Sequence, residues 1–189
     1  MIARRKLLSL VVLLALVPLP ALAELDVSNY EGWAVTVLSG DTLRVLDGSN
    51  RMTRVRLKSI DAPEKNQPYG AEARKFLASL VSGREVKVEA KNTDDFGNIL
   101  GQIWVEPPKC FDCKKSVDAN LALLKAGLAW WSSKFAKQQS RSERKEYEAA
   151  QDDARRKMIG LWADPDPIPP WEWRERETTT EPDGTQDEE

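Results

Sequence analysis

The sequence predicts an α+β fold in which five short β-strands close into a small barrel and three helices pack on its outside. Two patterns support this prediction. Apolar and polar residues alternate in five short segments, and three longer segments place apolar residues three or four positions apart. The order is three strands, one helix, two strands and two further helices, which is typical of a closed five-stranded barrel of the OB-fold type.

The first three strands are expected within residues 32–60. GWAVTVLSGD alternates apolar and polar residues and stops at Ser39-Gly40, which indicates a strand that enters a turn. TLRVLDGSNRMTRVRLKSI indicates two more strands, because Asp47-Gly48 is a strong hairpin pair. Residues 61–68 then form a turn that contains proline.

One helix separates these strands from the last two. In PYGAEARKFLASLV the apolar residues recur at positions 73, 76, 77, 80 and 81, which is the spacing of an amphipathic helix. REVKVEAK alternates again, and DDFGNILGQIWVE supplies a turn and the fifth strand. These two strands complete the predicted barrel.

Two helices are expected after the barrel, connected by LAWWSSKF. KSVDANLALLKAG predicts a helix that Ser116 opens and Gly127 closes. A longer helix is predicted from Ser140 to Gly160. Its apolar face consists of Tyr147, Ala150, Ala154 and Met158.

Residues 1–23 have the pattern of a secretory signal peptide. Three basic residues precede an apolar run that ends in prolines, and Ala21-Leu22-Ala23 follows as a cleavage site. A membrane anchor is the alternative, but the run is short for a span, which needs about 20 apolar residues. We therefore expect cleavage near Ala23 and export, either periplasmic or secreted, with no membrane contact afterwards.

Residues 24–163 form the predicted domain, and residues 164–189 form a Pro- and Trp-rich extension with an acidic tail. DPDPIPPWEW is too rich in proline for a helix or a central strand. We expect Trp171 and Trp173 to attach this extended segment to the domain. Residues 164–189 carry ten acidic and two basic residues, a composition typical of a solvated, disordered end.

The sequence contains no histidine, which excludes Ser-His-Asp hydrolases, histidine-dependent nucleases and histidine-rich zinc or copper sites. Hydrolytic chemistry must then rely on carboxylates, arginine, lysine or a hard metal ion. The two cysteines, Cys110 and Cys113, form a CxxC pair. For an exported protein we favour a local disulfide, with redox catalysis and half of a zinc site as the alternatives.

Charged residues gather at two predicted turns. Asp41 ends the first strand in SGDT, and Asp61 and Glu64 follow the third strand in RVRLKSIDAPE. Turns on one rim of a barrel can meet, and carboxylates with a main-chain carbonyl make an oxygen site that suits Ca²⁺. Arg54 and Arg56 project from one strand face toward this region. A metal beside carboxylates and guanidiniums suits phosphate esters, although each residue alone is typical of a solvated surface.

Together these motifs resemble the staphylococcal nuclease, or thermonuclease, family. The resemblance covers residues 33–163 and rests on six segments in order: SGDT, RVRLKSIDAPE, YGAEA, DDFGN, NLALLKAGLAW and IGLW. It implies an OB-fold barrel with three helices, Ca²⁺ as the cofactor, and hydrolysis of phosphodiester bonds in DNA and RNA. We accordingly expect a monomer whose substrate is single-stranded DNA or RNA.

The resemblance also assigns roles by position. It implies that Asp41, Asp61 and the main-chain carbonyl of Ala62 bind Ca²⁺. Glu64 resembles the residue that orients the attacking water or accepts its proton, and both roles stay open. Arg56 resembles the first arginine that binds the phosphate.

One catalytic position departs from the family pattern. Members usually carry a second arginine directly after the glycine of the D-x-[YF]-G turn, where this sequence has Asn98. Asparagine donates a hydrogen bond but brings no charge, and losing a charged transition-state contact costs about 10²–10³ in rate. Asp95 makes the same turn less cationic than in the best-known members. We hypothesise that Arg54, about 7 Å along the strand from Arg56, partly compensates.

Three functions are compatible with the sequence. We favour a Ca²⁺-dependent nuclease of reduced activity, because clustered carboxylates repel one another and phosphates unless a cation lies among them. The alternative is a non-catalytic module that binds nucleic acid or protein, in which Trp130, Trp131 and Phe135 would stack on bases. A structural domain that binds partners through PIPPWEW is the third.

Overall fold

A computed structural model of the protein describes residues 28–110 and 112–180. The predicted signal peptide and the end of the predicted tail, residues 181–189, lie outside these ranges. The strands are β1 (Tyr30–Val37), β2 (Thr42–Asp47), β3 (Met52–Leu57), β4 (Ile60–Asp61), β5 (Glu85–Thr93), β6 (Ile99–Val105), β7 (Val117–Asp118) and β8 (Trp130–Trp131). The helices are α1 (Gly70–Val81), α2 (Ala119–Lys125), α3 (Arg141–Arg156) and α4 (Pro170–Thr180). None of these helices is both long enough and apolar enough to cross a membrane.

Five of the strands close into the predicted barrel. They follow the order β3-β2-β1-β5-β6, and each neighbouring pair is antiparallel. Parallel pairing of β3 with β6, with Val55 opposite Ile99, closes the barrel. The remaining short strands add β7 to the edge of β6 and form a separate β4–β8 pair. The α+β class and the OB-fold barrel are therefore confirmed.

The alternation of residues in the strands explains the core. In β2 and β3 the inward side chains are almost fully inaccessible to solvent. They are Leu43, Val45, Val55 and Leu57. The residues between them, such as Arg44 and Arg54, are exposed on the outer face. Burying each inward side chain contributes roughly 1.5–3 kcal/mol, so the alternating pattern selects the strand register.

The predicted first helix is present as α1, which buries Ala73, Leu77 and Val81 against the barrel. The second helix is also present, but its predicted start at Ser116 is wrong. Val117 and Asp118 form β7 instead, and the Asp118 carboxylate caps α2 by accepting hydrogen bonds from the main-chain N–H groups of its first turn.

The long predicted helix begins after Ser140, as expected, but ends earlier than Gly160. Its face of Tyr147, Ala150 and Ala154 is buried, as predicted. Met158 is 70% exposed and does not belong to that face. The helix has already ended at Arg156, and Met158 has a left-handed backbone with φ 50°.

The prediction of an extended segment after Asp164 is wrong from Pro170 onward, where α4 begins. Proline is well tolerated at the first helical position, because its missing N–H would have no intrahelical partner there. The predicted attachment through Trp171 is confirmed, since its ring meets the ring of Trp130 edge-on at 5.7 Å. The barrel therefore carries the three predicted helices and a fourth.

The CxxC pair lies in the loop between β6 and β7. Cys110 and Cys113 are joined by a disulfide, with their Cα atoms 5.9 Å apart. The favoured interpretation of this motif is confirmed, and neither cysteine lines the cleft described below.

Candidate active site

The turn between β1 and β2 presents Asp41 to the interior of the site. Its Oδ1 accepts hydrogen bonds from Ser39 Oγ at 2.8 Å and Thr42 Oγ1 at 2.9 Å. Gly40 permits this placement: a Cβ there would lie 2.6 Å from the Cβ of Ala73 and 2.7 Å from that of Ala62. The turn therefore lies directly against α1 and against the segment that carries Asp61.

Arg56 joins the two aspartates. Its Nη2 lies 2.9 Å from Asp61 Oδ1, and its Nε lies 3.5 Å from Asp41 Oδ2. Both aspartates are less than a tenth exposed. Burial acts to lower the pKa of the Arg56 guanidinium, but Asp41 and Asp61 outweigh it, so that the pKa lies above its ordinary value. Two turns that are 20 residues apart in sequence thus meet at one guanidinium.

Glu64 occupies the turn after β4, which is held at both ends. The main-chain N–H of Glu64 donates to Gln67 Oε1 at 3.0 Å. Its carbonyl oxygen lies only 1.9 Å from where a Cβ of Gly70 would be, so this close approach requires glycine. The turn is therefore built to keep Glu64 beside Asp61.

A second guanidinium, which the sequence analysis missed, completes this cluster. Arg174 of α4 contacts Asp61 Oδ2 through Nη2 at 2.8 Å and Glu64 Oε1 through Nη1 at 2.5 Å. The hydrogen bonds with Asp61 raise the pKa of Arg174, although its partial burial opposes them. A clue existed in the sequence, because Arg174 and Arg176 are the two basic residues in the acidic segment 164–189.

Asn98 occupies the position of the expected second arginine, and its side chain forms a hydrogen bond within its own turn. Its Nδ2 donates to Asp94 Oδ2 at 2.7 Å, and the main-chain N–H groups of Phe96 and Asn98 donate to Asp94 Oδ1. Burial acts to raise the pKa of Asp94, but these hydrogen bonds lower it below its ordinary value. The amide of Asn98 is therefore committed to Asp94 rather than directed at the carboxylates.

Arg54 does not reach the cluster in the way we hypothesised. It is exposed on the outer face of β3 and lies opposite Arg44 of β2. Like charges directly opposite on neighbouring strands favour side chains that spread into solvent.

An open cleft of about 360 Å³ lies beside the cluster. Its lining includes both guanidiniums, Arg56 and Arg174, together with Lys134, Phe135 and Trp171. The carboxylates of Asp61 and Asp94 also line it, so the cleft combines three basic and two acidic side chains with aromatic surface.

Of the three aromatic residues proposed to stack on bases, Phe135 lines the cleft. Trp130 instead packs edge-on against Trp162, with ring centres 4.4 Å apart, and Trp131 Nε1 donates to Gln139. These two tryptophans serve chiefly in packing.

The carboxylates of the cluster are the candidate donors for a hard cation. Within the described residues, no group of three or more His, Cys, Asp or Glu side chains stands in a ready metal-binding arrangement. Asp41 and Asp61 nevertheless both contact the guanidinium of Arg56. Asp61 and Glu64 both contact the guanidinium of Arg174. These carboxylates offer oxygen-only donors, which is the chemistry that Ca²⁺ requires. The residues therefore fit such an ion in the chemistry of their donors, while in this arrangement their oxygens contact guanidiniums.

Several known proteins are similar to this chain over most of its length. A family model described as "Staphylococcal nuclease homologue" matches residues 54–164. The chain is 37% identical over 165 residues to Protein ParB of Escherichia coli, covering 87% of this chain and 88% of the relative. It is 36% identical over 149 residues to an uncharacterized endonuclease of Escherichia coli, covering 79% and 88%. It is 37% identical over 148 residues to a micrococcal nuclease of Shigella flexneri, covering 78% and 82%.

The range matched by the family model includes Arg56, Asp61, Glu64 and Asn98. It ends before α4, so Arg174 lies outside it.

Proposed function

Because the chain belongs to the staphylococcal nuclease family, we propose that it is an exported, Ca²⁺-dependent nuclease that hydrolyses phosphodiester bonds of single-stranded DNA or RNA. The observation that carries this proposal is that Asp41 and Asp61 converge on Arg56, which lines the cleft, while Glu64 shares a second guanidinium with Asp61. Relatives named as nucleases and endonucleases support the same activity.

Each residue has a distinct role in the proposed reaction. Asp41, Asp61 and the main-chain carbonyl of Ala62 would hold Ca²⁺, which supplies charge neutralisation for the phosphate oxygens. Arg56 donates hydrogen bonds to a phosphate oxygen and stabilises the charge that develops in the transition state. Glu64 orients the attacking water or accepts its proton.

The cleft supports a single-stranded substrate. Phe135 and Trp171 offer aromatic surface next to the guanidiniums, and unpaired bases stack on such side chains at roughly 1–3 kcal/mol per base. A duplex would keep its bases stacked on one another instead. Export rests on the signal-peptide pattern of residues 1–23.

A cleavage assay tests this function. The purified protein should cut single-stranded DNA in Ca²⁺, and a chelator should stop the reaction. Glu64→Ser should remove cutting while circular dichroism stays unchanged. Binding without cutting would favour a non-catalytic nucleic-acid module, and neither binding nor cutting would favour a structural or protein-interaction domain.

A further inference from the structure

Asn98 brings no positive charge to the position where the family usually has its second arginine. Before a cation binds, ionised Asp41, Asp61 and Glu64 carry three negative charges, and Arg56 alone would leave two of them uncompensated. Such an excess repels a phosphodiester, which is itself an anion. Asn98 adds no charge and is bonded to Asp94.

Arg174 lies close enough to Arg56 to supply the missing positive charge. Asp61 Oδ1 lies 2.9 Å from Arg56 Nη2 and 3.3 Å from Arg174 Nη1, so both guanidiniums reach the same oxygen atom. Both also line the same cleft. Two guanidiniums that share one carboxylate oxygen are close enough to share the oxygens of one bound phosphate.

The helix that carries Arg174 is attached close to the active-site turn. Gln67, which holds the main-chain N–H of Glu64, also donates from Nε2 to the carbonyl of Ile168 at 2.6 Å. Trp171 contacts Trp130, which lies opposite Asp61 in the β4–β8 pair. Both attachments position α4 relative to the same carboxylates, as preorganised catalysis requires.

We propose that Arg174 is the second phosphate-binding arginine of this enzyme, supplied by the C-terminal helix in place of the residue at position 98. This inference rests on the proposed nuclease function. Arg174 suits the role because a planar guanidinium presents five donors in a fixed fork, and its side chain is 40% exposed. It keeps access to solvent and substrate while bonded to Asp61 and Glu64.

The same contacts permit an opposite role. A guanidinium between Asp61 and Glu64 could instead compete with the cation and block the site. The two roles predict opposite effects on activity when Arg174 is removed, and a variant series separates them.

The series consists of Arg174→Ala, Arg174→Lys and, as a matched control on the same helix, Arg176→Ala. Arg176 pairs with Glu172 one turn away. Steady-state cleavage of single-stranded DNA is measured over a range of Ca²⁺ concentrations. We expect Arg174→Ala to lower kcat by about 10²–10³. Arg174→Lys should recover part of this loss, because it keeps the charge but not the fork. Arg176→Ala should stay within about twofold of wild type.

A binding readout separates phosphate contact from a purely structural role. Binding of a fluorescent oligothymidylate of about eight nucleotides is measured in chelator at several salt concentrations, so that no cutting occurs. Each phosphate contact with a single strand contributes about 0.7 to the slope of log K against log salt. Arg174→Ala should reduce the slope by about this amount, whereas Arg176→Ala should leave it unchanged.

Two results would overturn the inference. An Arg174→Ala variant that cuts as fast as wild type, or faster at lower Ca²⁺, would show that Arg174 is dispensable or blocks the site. An unchanged salt slope would show that it does not contact phosphate. If the wild-type protein fails to cut in Ca²⁺, the proposed nuclease function fails, but the salt slope still reports whether Arg174 binds phosphate.

Discussion

Asp61 is the residue on which the two guanidiniums of the site converge. Its side chain is 10% exposed, and each carboxylate oxygen has an arginine partner. The two guanidiniums share this one carboxylate and are themselves partly exposed, so each ion pair stabilises the domain less than a fully buried pair would. Arg56 and Arg174 therefore contribute both to the stability of this corner of the domain and to the charge that a phosphate meets.

Arg56 and Arg54 make a matched pair for mutation, because they lie two residues apart on one face of β3. Arg56→Ala should lower the cleavage rate by about 10²–10³, since it removes the guanidinium between Asp41 and Asp61. Arg54→Ala should have little effect, because Arg54 is exposed opposite Arg44. Initial rates on single-stranded DNA measure both effects. Equal losses in the two variants would contradict this assignment.

The residues of the site were predictable where the relevant pattern is local. Asp61 and Glu64 lie in one proline-containing turn, and Arg56 lies five residues before Asp61 on the preceding strand. Arg174 was not predictable in this way. Its contact with Asp61 spans 113 residues, and it depends on a helix that the proline-rich sequence did not predict.

At the scale of elements, short turns and one two-stranded pair place the carboxylates. β4 pairs with β8, so that Asp61 lies opposite Trp130. The turn after β4 then runs directly beneath the first residue of α1, where Glu64 and Gly70 approach. A shift at the start of α1 should therefore displace Glu64.

Gly70→Ala tests this coupling. The new methyl group would lie 1.9 Å from the carbonyl oxygen of Glu64 without rearrangement. Overpacking of this kind costs typically about 1–3 kcal/mol, and the displaced turn should also lower the cleavage rate. Gly48→Ala is the control, because nothing lies within 4 Å of its added Cβ. Urea denaturation and cleavage rates measure the two effects, and a Gly70→Ala protein indistinguishable from Gly48→Ala would refute the coupling.

The errors in the predicted elements have one cause. The start of α2 and the presence of α4 depend on tertiary contacts that compete with local preference. Val117 and Asp118 pair with Val105 and Trp104 of β6, which delays α2. Trp171 and Gln67 hold α4 near the cleft through contacts with distant residues. Local pattern alone cannot report such contacts.

At the scale of the whole molecule, barrel closure is what assembles the site. Pairing of β3 with β6 brings Arg56 opposite Leu100, which also lines the cleft, and the β1–β2 turn delivers Asp41 to the same region. α4 then adds a positive charge from a segment whose overall charge is strongly negative. If the cleft binds nucleic acid as proposed, binding should depend on local contacts rather than on the net charge of the chain, which is −2.

Calcium binding measured by calorimetry tests the central claim most directly, namely that Asp41 and Asp61 together hold a hard cation beside Arg56. The account predicts one Ca²⁺ per chain for the wild-type protein. Asp41→Asn should weaken binding by at least about tenfold, because it removes one of the charged ligands. Asp95→Asn removes an exposed acid from the 94–98 turn and should bind Ca²⁺ like wild type. No binding to the wild type, or equal binding by wild type and Asp41→Asn, would contradict the claim.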